Sequence, residues 1–160
     1  MTQPLTLELS DAHATEAAGA RIAPFLAPGM IVTLAGELGA GKTTLARGML
    51  RALGWEGPVK SPTFTLVEHY PFSNLYLYHF DFYRFDTRSR NAVEWDDAGV
   101  AEAFRDDTVC LVEWPERVAS LLPPVDLAIT LCADDEGGRR LEACANSDRG
   151  RRCLNALAAN

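Results

Sequence analysis

The chain has 160 residues, 48% hydrophobic and 23% charged, a composition typical of one compact globular domain. Its formal net charge of −7 argues against a broad basic surface for nucleic acid, because neutralising phosphates needs clustered lysine and arginine. No signal pattern precedes the first periodic segment, and no apolar run approaches the roughly 18 residues of a membrane span. We therefore expect a cytoplasmic protein with no membrane partner.

The cysteines and lysines are informative because they are few. Four cysteines lie far apart without a C-x-x-C pair, which predicts buried or idle thiols rather than a zinc or redox site: Cys110, Cys132, Cys144 and Cys153. Only two lysines occur, Lys42 and Lys60, against thirteen arginines. Lys42 is therefore an unusual residue in this chain.

The first third of the chain predicts strand, helix, strand and helix in turn. The ranges are 5–9, 13–26, 30–35 and 43–53. Ser10 or Asp11 is a plausible cap for the first helix, and Gly54 ends the second. The run at 30–35 is continuously apolar, as in a strand buried on both faces.

The remainder predicts mostly strands. "TFTLVEHY" and "LYLYHF", joined by "PFSN", have the alternation of an antiparallel hairpin, and 91–104 indicates short helices. A buried strand at 109–112 ends at Glu113, before Pro115. The segment 125–145 predicts a second hairpin that turns at Gly137 and Gly138, and 149–160 predicts a loose helical tail.

The stretch "GELGAGKT" between the second strand and the second helix matches the phosphate-binding pattern G-x-x-x-x-G-K-[ST] in its required context. Backbone N–H groups can wrap a phosphate only where no Cβ intervenes, and a helix N-terminus adds its positive dipole end. Lys42 is expected to reach the β- and γ-phosphates, and the Thr43 hydroxyl to hold Mg²⁺.

A magnesium-bound nucleotide also needs a carboxylate near the end of a neighbouring strand. Two candidates fit: Glu113 ends the apolar run of "VCLVEWPE", and Asp81 ends that of "LYLYHFDFYR". Each could instead be an ordinary polar residue at a strand terminus. The overall prediction is an α/β fold: a single P-loop NTPase-like domain over 1–160, with a mixed sheet that contains an antiparallel hairpin and is flanked by helices.

Four motifs in this order and spacing resemble the bacterial TsaE family, the small ATPase of tRNA threonylcarbamoyladenosine biosynthesis. They are "GELGAGKTTLARG", "SPTFTLVEHY", "YHFDFYR" and "LVEWPE", spanning about 36–116. Outside that span the resemblance is one of length and layout. Phe82, where leucine is more usual, and Glu37, where aspartate is common, are mild departures.

The resemblance implies a role for each matched position. Thr43 and Glu113 would hold Mg²⁺, Asp81 would serve hydrolysis, and Trp114 would lie near the adenine. Ser61 to Thr63 would form a switch-like loop at the γ-phosphate. The catalytic set would be Lys42, Asp81 and Glu113. The ATP contacts would be Trp114 and the loop residues Glu37, Leu38, Gly39, Ala40, Gly41, Lys42, Thr43 and Thr44.

Several of these residues also have a purely structural interpretation. Trp114 could cover the sheet edge, and the hydroxyls of Ser61 and Thr63 could serve an ordinary turn. Arg84 could stabilise phosphate charge or simply solvate the surface, and His79 fits a structural hydrogen bond better than a general base. The tail arginines could touch RNA, although such a run is more often solvated: Arg149, Arg151 and Arg152.

The expected function is a Mg²⁺-dependent ATPase, weak alone, that supports a TsaB–TsaD complex and meets tRNA through those partners. One alternative is a nucleotide-sensing adaptor with negligible turnover. Another is a small-molecule kinase, for which the sequence offers no clear lid. A GTPase is weaker, because "DDAG" at 96–99 follows no buried strand and no N-K-x-D motif occurs.

Overall fold

A computed structural model describes residues 3–63, 65–85, 95 and 99–159. Its strands are β1 (Leu5–Leu9), β2 (Ile31–Ala35), β3 (Val67–Pro71), β4 (Tyr76–Asp81), β5 (Thr108–Glu113), β6 (Leu127–Ala133) and β7 (Arg139–Ala145). Its α-helices are α1 (Ala12–Ile22), α2 (Lys42–Ala52) and α3 (Asp148–Ala158), and 3₁₀ turns cover Ala23–Phe25, Val100–Ala103 and Pro115–Arg117. Half of the expected helical stretch 91–104, namely 91–94 and 96–98, lies outside the described residues.

The strands form one sheet in the order β1-β7-β6-β2-β5-β4-β3. β2 pairs in parallel with both β5 and β6, and β4 pairs in parallel with β5. The hairpins β3–β4 and β6–β7 are antiparallel, as is β1 with β7. The predicted α/β fold with a mixed sheet is confirmed, and the carboxyl ends of four parallel strands meet along one edge, which is where open α/β sheets bind ligands.

The sheet buries apolar side chains on both faces. Along β5, Val109 and Leu111 join the core under the helices, whereas Cys110 and Val112 join a second core on the opposite face. This alternation follows from the two-residue period of a strand. It explains why the strand at 109–112 is continuously apolar in sequence.

Helix α2 is held close to α1. A Cβ placed on Gly48 of α2 would overlap the backbone of Glu16 in α1, so only glycine permits this approach of the two helices. Leu45 and Met49 of α2 are fully buried. The helix that follows the glycine loop is therefore fixed in position by its own packing.

Some predicted boundaries differ from the structure. The first helix ends at Ile22 and tightens into Ala23–Phe25, with Pro24 in the first turn of the 3₁₀ segment. The hairpin strand expected from residue 63 begins at Val67, because Leu66 closes a turn by donating its N–H to the carbonyl of Pro62 at 2.8 Å. Within the described ranges, none of the helices has the length and apolar character needed to cross a bilayer.

The C-terminal segment is a packed helix rather than a loose tail. Ser147 caps α3 by accepting a hydrogen bond from the Gly150 N–H at 3.0 Å. Three apolar residues of the helix are buried: Cys153, Leu154 and Leu157. The polar face that made this segment resemble a solvated tail is the outer face of an amphipathic helix.

Candidate functional site

The glycine loop turns directly from β2 into α2. Gly36, Gly39 and Gly41 all have positive φ, at 145°, 78° and 106°. At Gly36 a Cβ would also overlap the carbonyl oxygen of Leu131 on the neighbouring strand β6. The loop conformation therefore requires glycine for both backbone and steric reasons, as the sequence pattern predicts.

Helix α2 starts without a side-chain cap, unlike α1 and α3. Asp11 caps α1 by accepting from the Ala14 N–H at 2.8 Å, and Ser147 caps α3. The N-cap of α2 is Gly41, which has no side chain to offer. The first-turn N–H groups of α2 are therefore left for an anion, together with the positive end of the helix dipole.

Lys42 is a lysine with only 5% of its surface exposed. Its ammonium donates to the carbonyl oxygen of Gly36 and, at 3.1 Å, to that of Glu37. Burial lowers the pKa of Lys42, and the carboxylates of Glu113 and Asp81 oppose that shift. The result is a desolvated cation positioned at the helix N-terminus.

Glu113 lies at the end of β5, opposite Thr43. The Thr43 Oγ1 is 3.5 Å from both Oε1 and Oε2 of Glu113, which is long for a direct hydroxyl hydrogen bond. His79 Nε2 lies 2.5 Å from Oε2 of Glu113, inside the core and fully shielded from solvent. The hydroxyl and carboxylate provide the hard oxygen donors that Mg²⁺ prefers.

Asp81 ends β4 beside Glu113 in the parallel register. Its Oδ2 accepts hydrogen bonds from Ser61 Oγ at 2.6 Å and Thr63 Oγ1 at 3.0 Å, and its Oδ1 accepts from the Tyr83 N–H at 2.9 Å. The hydroxyls of the predicted switch-like loop are therefore attached to the second candidate carboxylate. The structure thus joins two features that the sequence places about twenty residues apart.

Both non-glycine residues with positive φ in the described ranges adjoin this site. Trp114, at φ 58°, directly follows Glu113, and Leu66, at φ 70°, accepts a hydrogen bond from the Asp81 N–H through its carbonyl. Such conformations cost on the order of 1–3 kcal/mol each and concentrate at functional sites. This edge of the sheet is held in a conformation that stability alone does not favour.

These groups line one cavity of about 310 Å³. Its lining residues are Leu38, Gly39, Ala40, Gly41, Lys42, Thr43, Thr44, Ser61, Thr63, Asp81, Glu113, Trp114 and Arg139. Ten of the eleven predicted site residues are among them; Glu37 instead lines a neighbouring 410 Å³ hollow and contacts Lys42 through its carbonyl. The structure brings the predicted residues together, while their binding roles remain predictions.

Arg139 is the cavity residue that sequence reasoning missed. It starts β7, and its Nη2 donates to the carbonyl oxygen of Gly39 at 3.0 Å, across 100 positions of sequence. Its only sequence signal is its place after the "GG" turn of a hairpin. The contact arises because β6 pairs with β2, which places the β6–β7 turn beside the glycine loop.

Two arginines for which the sequence leaves a phosphate or RNA contact open lie away from the cavity. Arg84 is exposed and does not line the cavity. Arg149 donates to the carbonyl of Pro28 at 2.8 Å and pairs with Asp126 at 3.6 Å, on the amino side of the sheet. Arg149 therefore connects α3 to the loop before β2.

Comparison with known proteins identifies the family. The family described as "Threonylcarbamoyl adenosine biosynthesis protein TsaE" matches residues 9–141. A Haemophilus influenzae protein named tRNA threonylcarbamoyladenosine biosynthesis protein TsaE is 40% identical over 80% of this chain and 78% of its own, and a Bacillus subtilis protein of that name is 41% identical over 76% and 75%.

A solved structure agrees over nearly the whole length. The crystal structure of Bacillus subtilis YdiB superposes with a TM-score of 0.81 at 31% identity, covering 99% of this chain and 96% of that protein. The matched region includes the glycine loop, Asp81, Glu113 and Arg139. By sequence and by fold, the chain belongs to the TsaE family of threonylcarbamoyl adenosine biosynthesis proteins.

Proposed function

We propose that this protein binds and hydrolyses Mg²⁺-bound ATP, and that this cycle supports threonylcarbamoyl transfer to an adenosine of tRNA by a TsaB–TsaD complex. The observation that carries the proposal is the convergence of Lys42, Thr43, Asp81 and Glu113 on one cavity at an uncapped helix N-terminus. Membership of the TsaE family supports the pathway.

Phosphate recognition follows from the loop. The first-turn N–H groups of α2 and the Lys42 ammonium offer donors on the same side of the cavity, and charge-assisted hydrogen bonds are the strong ones. Lys42 donates to the carbonyl oxygens of Gly36 and Glu37, and phosphate oxygens can compete with these acceptors. Thr44, one residue further along α2, also lines the cavity, where the resemblance to the family implies an ATP contact.

The donor set near Lys42 fits a magnesium ion. Thr43 supplies a hydroxyl and Glu113 a carboxylate, and both face the cavity. When bound, Mg²⁺ would neutralise charge on the β- and γ-phosphates. Within the protein, His79 fixes one carboxylate oxygen of Glu113, which limits the orientations available to the other.

Asp81 is the proposed water-orienting residue. Phosphoryl transfer to water depends mainly on positioning and electrostatic stabilisation. The Asp81 carboxylate is 3% exposed, lines the cavity and is held by Ser61 and Thr63. A loop attached to this carboxylate can respond to the presence or loss of a γ-phosphate, as switch loops do.

The partner-dependence of the proposal comes from charge. With a formal net charge of −7, the chain is repelled by polyphosphate over most of its surface, so tRNA is better reached through a protein that binds it. ATP hydrolysis by this protein would then reset the complex between rounds of transfer.

Reconstitution tests the proposal. Purified protein is mixed with TsaB, TsaD, TsaC, threonine, bicarbonate, ATP and tRNA, and modified adenosine is counted over many turnovers. We expect sustained modification with the wild-type protein and with Lys60→Ala, an exposed-lysine control outside the cavity, and a stall with Lys42→Ala. Modification that continues equally well without the protein would refute the pathway role.

Nucleotide titration tests the same site without partners. Lys42→Ala removes a buried charge-assisted hydrogen bond worth about 1.5–3 kcal/mol, so we expect the Kd for Mg·ATP to rise about 10- to 150-fold in calorimetry. Lys60→Ala should leave the Kd unchanged. Equal affinity of both variants and the wild type would remove Lys42 from the site.

Two other functions use the same cavity and are separated by their products. A nucleotide-sensing adaptor would bind ATP, yet release no phosphate in a single-turnover experiment with TsaB and TsaD present. A small-molecule kinase would transfer the γ-phosphoryl group to a metabolite instead of to water. We expect inorganic phosphate as the product.

A further inference from the structure

The indole of Trp114 lies against the amine of Lys42. The distance from the Lys42 Nζ to the ring centroid is 4.2 Å, within the range of a cation–π interaction. Trp114 is partly buried and lines the same cavity as the loop. An indole beside the lysine of a glycine loop is therefore placed at the phosphate end of the cavity.

The backbone holds the ring in this position. Trp114 has left-handed backbone angles, φ 58° and ψ 50°. The next residue is Pro115, whose pyrrolidine ring fixes its own φ and so limits the backbone movement available beside Trp114. The indole also packs against Tyr83, with ring centroids 4.9 Å apart, and against the Arg117 guanidinium at 6.0 Å. The ring is thus restrained by neighbours on the protein before any ligand arrives.

The Lys42 ammonium uses two of its donors within the glycine loop. An ammonium has three donors, and two carbonyl oxygens of the loop, those of Gly36 and Glu37, accept from it. The lysine is almost fully buried, so water is largely excluded. The indole face supplies negative electrostatic potential where hydration has been removed.

We propose that Trp114 is a positioning residue for Lys42. The indole shields the Lys42 ammonium from water and holds it in place for the phosphates, so the contribution of Trp114 to nucleotide affinity does not depend on the base. The inference rests on the proposed nucleotide function and deepens it. The resemblance to the family implies instead a ring near the adenine. The two roles differ in what Trp114 contacts, and so in which ligands feel its loss.

Three ligands distinguish these roles: Mg·ATP, Mg·GTP and inorganic tripolyphosphate with Mg²⁺. For Trp114→Leu we expect all three affinities to fall by a common factor of about 2- to 30-fold, the range of cation–π interactions from exposed to desolvated sites. Trp114→Phe keeps a weaker π face and should lose less. Trp55→Phe, which alters an indole outside the cavity, is the matched control.

Chemical labelling tests the contact itself without any nucleotide. Because Lys42 and Lys60 are the only lysines, an amine-acylating reagent followed by mass spectrometry reports Lys42 against an exposed internal standard. We expect the Lys42 to Lys60 labelling ratio to rise several-fold in Trp114→Leu and less in Trp114→Phe. Thermal unfolding of each variant confirms that the fold persists.

The outcomes separate cleanly. Loss of ATP affinity with tripolyphosphate affinity unchanged would make Trp114 a base platform and overturn the proposal, as would unchanged affinity for all three ligands. A wild-type protein that binds ATP but not tripolyphosphate would also count against it, because the base would then carry the affinity. A wild-type protein that binds none of the three would refute the proposed function instead, and an unchanged labelling ratio would refute the lysine contact.

Discussion

Both ends of the parallel strands bury carboxylates, and the surroundings of these carboxylates differ. At the amino end, Asp126 is 7% exposed, and at the carboxyl end Glu113 and Asp81 are 2% and 3% exposed. Asp126 accepts from the Ile31 N–H at 2.9 Å and from Ser147 Oγ at 2.6 Å. It thereby connects the start of β2 to the cap of α3.

The carboxylates at the other end have different partners. The partners of Glu113 and Asp81 are mainly side-chain groups, namely hydroxyls and an imidazole. Both carboxylates also share a cavity with a buried lysine. Asp126 also lines a cavity and pairs with a partly exposed arginine, Arg149, but its oxygens fix the start of a strand and the cap of a helix. Glu113 and Asp81 instead share their cavity with a lysine that is itself buried, at a helix that has no side-chain cap, which is the setting of a ligand site. Burial alone does not distinguish the two kinds of acid.

Asp81→Asn should have the largest effect, a loss of ATP turnover, and so gives the strongest test of this distinction. The substitution keeps the shape and one acceptor oxygen for the hydroxyls of Ser61 and Thr63, but its amide nitrogen faces the Tyr83 N–H, and it removes the negative charge that would orient water. We expect turnover to fall about 10²- to 10⁴-fold, the usual loss for a group that directs a proton, with ATP affinity nearly unchanged and a loss of about 1–2 kcal/mol in stability from the Tyr83 bond. Single-turnover phosphate release and calorimetry measure these quantities. Normal turnover would assign Asp81 to the structural class.

The place of the cavity at the carboxyl ends of the strands could be predicted from sequence, because each of its main residues directly follows a strand. The glycine loop, Asp81 and Glu113 each come directly after an apolar run, and parallel strands bring their carboxyl ends to one edge. The period of each strand then determines which side chains face the helices. Local patterns therefore indicated both the elements and the part of the fold where they meet.

The contacts of Asp126 at the amino end of the strands and the contact of Arg139 with the glycine loop could not be predicted in that way. Asp126 and Ile31 are 95 positions apart, and Arg139 and Gly39 are 100 apart, so these contacts depend on strand order rather than on local spacing. The segment at 149–160 was misleading for a similar reason. Its three arginines suggested solvation, although the packing of α3 depends on apolar residues spaced along its other face.

The next largest expected effect is the loss of stability in Asp126→Ala, and Glu113→Gln is the variant with which it is compared. Removing Asp126 leaves the buried Ile31 N–H and the Ser147 hydroxyl without their acceptor, so we expect a loss of about 2–4 kcal/mol in the free energy of unfolding. Urea unfolding measures this loss, and the Kd for Mg·ATP should stay within about twofold of the wild type.

Glu113→Gln should show the reverse pattern. The amide preserves volume and a partner for His79, so the unfolding free energy should change little, while the Mg²⁺ concentration needed for tight ATP binding should rise. If Asp126→Ala weakened nucleotide binding as strongly as Glu113→Gln, the division between a structural end and a ligand end would be wrong.

The thiols give the smallest and most local test of the same division. Cys110, near the start of β5, and Cys153, on α3, are buried, and burial raises their pKa to about 12 and about 11. Cys132 is exposed near the end of β6, beside the hollow next to the glycine loop. Because the thiolate is the reactive form, we expect a disulfide reagent to modify Cys132 rapidly in the native protein and to reach Cys110 and Cys153 only on opening of the fold.

Asp126→Ala should accelerate the modification of Cys153, since α3 loses the acceptor that holds its cap residue, and should leave the Cys132 rate unchanged. Peptide mapping by mass spectrometry follows each thiol separately. Equal acceleration at Cys110 and Cys153 would mean that Asp126 stabilises the whole molecule rather than the start of α3, since both thiols then react through the same global opening.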